Sequence, residues 1–199
     1  MHSMTGSATT RAERRQATSY RISTCAQRLT EQHGLDGFTM EELAQAAGVS
    51  RRTLFNYYRS KTDAVLGLPP ELSESSLDQF RSRGPGSNLV DDLRDLANQL
   101  LNAQDLNRED YARARGILLS NPRLLAAAHD RFLLLSSQIV EEIRDREGAT
   151  FDANRAQVAV RLLAALFDAA LDSFLSDPQQ RPLAAAYDDV LRAARHLLA

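Results

Sequence analysis

The sequence predicts an all-α protein built in two parts. Three observations carry that expectation. No stretch alternates apolar and polar residues as a half-buried strand does. Apolar residues instead recur three and four apart along nearly the whole chain. Helix stop and start signals punctuate that pattern, most compactly at residues 47–50, Ala-Gly-Val-Ser. The expected arrangement is an arm at 1–10, a three-helix domain with a helix-turn-helix at 11–66, and a larger helical body at 67–199.

Residues 11–33 read as the first helix, with Ile22, Cys25, Ala26 and Leu29 as its inward stripe and Gly34 as its stop. Thr39 with Glu42 three residues on fits a capping box. Leu43, Ala44 and Ala47 make the apolar side of the helix that follows. Gly48 ends it, because the position after a helix wants a left-handed backbone that glycine adopts without strain. Val49 is the buried turn residue, and the Ser50 hydroxyl caps the next helix. There Leu54 and Tyr58, four apart, face inward, while Arg52, Phe55, Asn56 and Arg59 share another face.

Ser60 caps a fourth helix that Lys61, the only lysine in the chain, begins. A lysine at a helix N-terminus opposes the dipole, a local cost that makes sense if that end meets a phosphate. Pro69 and Pro70 break this helix at Leu68, and helix resumes from Glu71 to Arg83. Residues 83–87, Arg-Gly-Pro-Gly-Ser, form the clearest linker. Beyond it five helices are expected. The first carries Leu89, Leu93, Leu96, Leu100 and Leu101, after a Ser87 or Asn88 cap. The next carries Tyr111, Ala114, Leu118 and Leu119, after Asp105 or Asn107. The third starts at Asn121-Pro122, with proline at its first position, and runs to Gly148. Residues 152–175 are the most apolar, and 183–198 close the chain.

Composition narrows the function classes. The 199 residues are 43% hydrophobic and 25% charged, ordinary for a globular protein. Net charge is −2, which argues against general coating of nucleic acid. The distribution matters more. Residues 1–65 carry nine Lys+Arg against six acids, and the remainder 15 against 20. A basic head on an acidic body suits a specific DNA binder. One cysteine, Cys25, permits no intrachain disulfide and is consistent with the cytoplasm. It reads as a small buried hydrophobe, with a redox switch as the minor alternative. No apolar run is long enough to span a membrane.

Enzyme chemistry lacks a constellation. The histidines at 2, 33, 129 and 196 show no metal-ligand spacing, and no HExxH, CxxC or GxSxG run occurs. Catalytic residues, metal and cofactor are therefore expected to be none. The pairs Asp91-Asp92, Glu141-Glu142 and Asp188-Asp189 read as solvated faces. His129 reads as a partly buried structural histidine, with a ligand contact as the alternative.

A short helix that buries Leu54 while presenting arginines and a flat ring is suited to the DNA major groove, although an αα-corner without DNA contacts has the same turn. The residues around it add to this. Gly34 and Gly37 precede Phe38-Thr39. Then come Leu43-Ala44, Ala47-Gly48-Val49-Ser50, Thr53-Leu54-Phe55, Tyr57-Tyr58 and Ser60-Lys61. This stretch resembles the DNA-binding domain of TetR-family transcriptional regulators, specifically over residues 11–66. The departure is Phe55, where many members have tyrosine. The resemblance implies a ligand-responsive regulator, usually a repressor, that binds double-stranded DNA as a homodimer. The expected DNA-contacting residues are Thr39, Ser50, Arg51, Arg52, Thr53, Phe55, Asn56, Tyr57 and Lys61. Arg52 would read a guanine edge, and Tyr57, Lys61 and Thr39 would lie over the backbone.

The resemblance also implies a small-molecule pocket in the body, with Tyr111, Leu118, His129, Phe132 and Phe167 as expected lining. The last two helices carry surplus apolar surface and many alanines, so a partner copy or a large monomeric core must cover them. The resemblance favours the dimer, with Leu163, Leu166, Leu171, Val190 and Leu197 as expected contacts. The rival reading is an all-helical protein-interaction module that has lost DNA binding.

Overall fold

A computed structural model describes residues 10–69, 71–84, 87–102, 106–148 and 150–198. The expected arm at 1–10 lies outside this range apart from Thr10. The described residues form ten α-helices and no strand: α1 Arg11–His33, α2 Met40–Ala46, α3 Arg51–Tyr57, α4 Lys61–Leu66, α5 Glu74–Arg83, α6 Leu89–Asn102, α7 Arg108–Ser120, α8 Pro122–Glu147, α9 Ala153–Ser176 and α10 Leu183–Leu198. They group into two compact units.

The first unit holds α1–α4 together with Arg113–Ala127, the end of α7 and the start of α8. The sequence reading leaves that segment in the body. Its place follows from Ile117 and Leu124, which are buried in one cluster with Ile22, Leu43, Leu54 and Tyr58. Arg113 also pairs with Glu31 at 3.3 Å, and Arg123 with Asp36 at 2.8 Å. Helix starts follow the capping signals. Thr10 and Glu13 form a capping box on α1 that was not anticipated, and Thr39 and Glu42 form the one expected on α2. Helix α4 stops at Leu66, two residues short of expectation. Gly67 adopts φ +74° there, so a glycine rather than the prolines ends the helix. Helix α5 begins after Ser73, whose hydroxyl accepts from the Ser76 amide at 3.1 Å, and not at Glu71.

The second unit comprises Pro70–Ala112 and Ala128–Ala199. Helices α9 and α10 pack along one another, and α10 also meets α6. Its core gathers Phe80, Leu93, Leu96, Ile143, Val160, Leu163, Tyr187 and Leu191. Tyr187 is 1% exposed, donates to the Leu163 carbonyl at 3.4 Å, and burial, with Asp188 nearby, pushes its hydroxyl up to about 12.

One expectation fails here outright. Asp92 is not on a solvated face. It is 5% exposed and ion-paired to both Arg83 and Arg146, with the Ser87 hydroxyl also donating to it. Arg146, itself 4% exposed, lies over the Phe80 ring at 5.1 Å. Glu142 is likewise engaged, taking both forks of Arg81 at 2.7 and 2.9 Å. Two acids that look solvated within their own helices find arginines from distant ones.

Candidate nucleic-acid interface

Helices α2 and α3 are each seven residues long, too short to persist alone, so the core must hold them. Leu43, Ala44, Ala47, Leu54 and Tyr58 do so, all buried. Between the helices Gly48 takes φ +62°, and the Val49 amide returns to the Ala44 carbonyl at 3.0 Å. The Ser50 hydroxyl then accepts from the Thr53 amide at 3.0 Å and bonds the Thr53 hydroxyl at 2.8 Å. Gly37 fills a second special position. A Cβ there would collide with the His33 carbonyl, so only glycine lets the chain turn from α1 toward α2.

The outward face of α3 is held from both sides. Arg51 points its Nε at Glu41 Oε1, 2.9 Å away on α2, and its guanidinium stands 5.5 Å from the Phe55 ring centre. Arg52 is exposed and has no partner among the described residues. Phe55 is 41% exposed, and Asn56 is exposed beside it. Thr53 is half-buried with its hydroxyl engaged, which leaves its methyl as the available group. Tyr57 is half-buried under the Arg15 guanidinium at 5.9 Å. Tyr58 faces inward, its hydroxyl bonded to Ser19 Oγ at 2.6 Å and Ser23 Oγ at 2.8 Å.

Lys61 is more occupied than its position suggests. Its ammonium donates to the Phe38 carbonyl at 2.8 Å and lies 5.1 Å from the Phe38 ring centre. Two of its three protons remain. Thr39 is exposed, its hydroxyl held by Glu42 at 3.0 Å. That arrangement keeps the Glu42 carboxyl below its ordinary range: the Thr39 amide and hydroxyl both donate to it. One supporting residue, Glu41, escapes the sequence reading. The signal for Glu41 is an acid at the start of one short helix and a base at the start of the next.

These features match known proteins. Residues 23–66 match the family described as bacterial regulatory proteins, tetR family. Over these residues the chain carries a TetR-family DNA-binding domain. A 48-residue stretch is 46% identical to the putative mycofactocin biosynthesis transcriptional regulator MftR of Mycobacterium tuberculosis and spans 24% of each chain. The match thus covers about a quarter of that relative's length. Two solved structures share the fold over most of the chain. NalD, the secondary repressor of the MexAB-OprM multidrug efflux pump in Pseudomonas aeruginosa, is 20% identical, with 91% of this chain and 95% of NalD covered and a TM-score of 0.50. The fatty acid degradation regulator FadR of Bacillus halodurans is 18% identical, with 88% and 93% covered and a TM-score of 0.50. TetR-family proteins are regulators and not enzymes.

The remaining expected site residues lie outside α2 and α3. Leu118 packs on the core of the first unit. In the second unit Tyr111 meets Phe174 edge-on at 5.7 Å, Phe167 meets Tyr187 at 6.4 Å, and His129 meets Phe132 at 6.5 Å. The expected aromatic lining therefore sits in three separate ring pairs. His129 is exposed, not partly buried as its neighbours Ala128 and Phe132 suggested. Of the expected dimer contacts, Leu163 turns inward and is buried in the core of its own unit. Leu166, Leu171 and Val190 are half-buried, and Leu197 is 86% exposed. Two residues not anticipated, Val158 at 64% and Leu162 at 42%, are exposed on α9. No described helix is long and apolar enough to cross a membrane.

Proposed function

We propose that this protein is a ligand-responsive TetR-family transcriptional repressor that binds a pseudo-palindromic operator as a homodimer in the cytoplasm. The observation that carries the reading is the face of α3. It buries Leu54 and offers Arg52, Phe55 and Asn56, of which Arg52 is a cation without a partner among the described residues. A guanidinium two residues past a helix cap can enter the major groove and meet guanine O6 and N7 together. Phe55 and the Thr53 methyl provide apolar contact for a thymine methyl. Lys61, Tyr57 and Thr39 lie over the backbone, where contacts set register rather than sequence.

Dimerisation is supported by the apolar residues that α9 and α10 leave open, Val158, Leu162 and Leu197. Twofold symmetry then demands two half-sites about one DNA turn apart, roughly 34 Å, or a modest multiple. A released state requires that the effector bind the DNA-incompetent form more tightly, since equal affinity shifts nothing.

The test is selection of bound fragments from genomic DNA, followed by titration on the selected and a scrambled duplex across a salt series. The expected result is a palindromic consensus with a clear preference over the scrambled duplex. Equal binding to both duplexes at every salt concentration removes the operator reading. No binding to either favours the rival, an interaction module.

A further inference from the structure

The second unit contains a cleft of about 370 Å³, with Leu101, Arg108, Tyr111, Phe174, Arg181 and Leu183 among its walls. Its electrostatics are unbalanced. Arg181 is answered by Asp177 and Asp189, each at 2.8 Å. Arg108 has no carboxylate partner among the described residues. Its guanidinium sits 4.3 Å from the Phe174 ring centre, and Nη1 donates to the Phe174 carbonyl. Nη2 is buried with no hydrogen-bond partner. On the same helix, Asp110 is buried and accepts from the Asn107 amide at 3.1 Å.

A part-buried guanidinium with one prong of its fork idle is costly unless something anionic completes it. A carboxylate matches that fork with two parallel bonds. The rest of the cleft sets an apolar and aromatic wall beside the polar side chains of Asn107, Gln180 and Arg181. Burial raises the pKa of the Tyr111 hydroxyl, so this ring stays neutral and adds no competing charge. The volume falls at the small end of the range for small-molecule sites, about 300–1,000 Å³. A single ring or a short chain fits that space.

We propose that this cleft binds a small organic acid, its carboxylate on Arg108 and its apolar body against Tyr111, Phe174 and Leu183. That the acid is the effector rests on the regulatory reading above; that it binds does not.

Calorimetry on the full chain tests this with benzoate, phenylacetate and hexanoate, their neutral amides, and inorganic phosphate. At least one acid should bind about ten-fold or more tighter than its own amide, as expected for a charge-assisted fork. Phosphate, with no apolar body, should bind more weakly than that acid. Arg108→Gln should abolish the preference for acid over amide, and Arg108→Lys should retain part of it. Arg181→Gln should leave it intact, because that charge is already matched. Equal affinity for acids and amides, no acid binding at millimolar concentration, or an undiminished preference in folded Arg108→Gln overturns the proposal. The acid-against-amide comparison needs no variant, so misfolding cannot mask the result. The same acids are then added to the operator complex. Acid binding that leaves DNA affinity unchanged removes the effector role and leaves the site standing. DNA binding without any acid binding does the reverse.

Discussion

Arg51 reaches back across the turn to Glu41, Nε to Oε1 at 2.9 Å, and this contact divides two adjacent arginines. Arg51 is tied between α2 and the Phe55 ring, while Arg52 stays unengaged among the described residues. As an exposed pair it adds at most about 1 kcal/mol to stability. Its larger consequence is positional, because it fixes which guanidinium is free to probe a base edge.

Arg52→Ala should cost about 1–3 kcal/mol on the preferred operator and relax preference at one base pair per half-site. Glu41→Gln should leave unfolding nearly unchanged but alter operator preference, because Arg51 is released. Both are read by titrating operator and scrambled DNA. An equal loss on the two DNAs for Arg52→Ala means that it does not read a base.

Lys61→Met keeps the stem beside Phe38 and removes the ammonium that bonds the Phe38 carbonyl. A hydrogen bond to a charged group is worth about 1.5–3 kcal/mol, so urea unfolding should show a loss of that order. If the remaining protons also meet phosphate, the salt slope of DNA binding falls by about one per subunit. An unchanged slope assigns Lys61 to the fold alone.

Tyr58→Phe removes the hydroxyl shared with Ser19 and Ser23 in the first unit's core. Two buried serine hydroxyls then lose a partner, at a cost of about 1–3 kcal/mol in chemical denaturation. DNA contacts should be affected only through that lost stability.

Asp92 should make the second unit sensitive to acid. Burial opposes its charge, but the Ser87 hydroxyl, Arg83 and Arg146 outweigh burial and hold its carboxyl below the ordinary 3.8. A depressed folded value means that the stabilisation is present above about pH 4. It is lost as pH falls through the folded value. Asp92→Asn should remove this part of the acid dependence and cost about 1–3 kcal/mol, since the buried Arg146 loses one of its two carboxylates and keeps Glu147. Thermal melts between pH 7 and pH 2 read both effects.

Leu162→Glu and Leu163→Glu should behave oppositely despite being neighbours. Leu162 is 42% exposed on α9 and Leu163 is 9% exposed. The first should give a folded monomer in sedimentation, and the second should unfold its unit. A folded dimer from Leu162→Glu removes this part of α9 from the interface.

What the sequence determined by itself is the local grammar. The Thr39–Glu42 box, the Gly48 turn, the Ser50 cap and the inward Leu54 and Tyr58 depend on residues within a few positions, and spacing exposes them. The exposed face of α3 follows from the same periodicity. The tertiary structure decided everything that needed a partner far along the chain. Asp92 looks solvated until Arg146, 54 residues away, reaches it. Lys61 looks free until the Phe38 carbonyl, 23 residues earlier, accepts its proton. Leu163 and Leu162 look alike on an apolar helix until packing buries one and leaves the other open. Periodicity constrains a side chain to a face of its own helix. Which distant group that face meets is set only when the helices pack, because long-range charge pairing and burial leave no spacing signal.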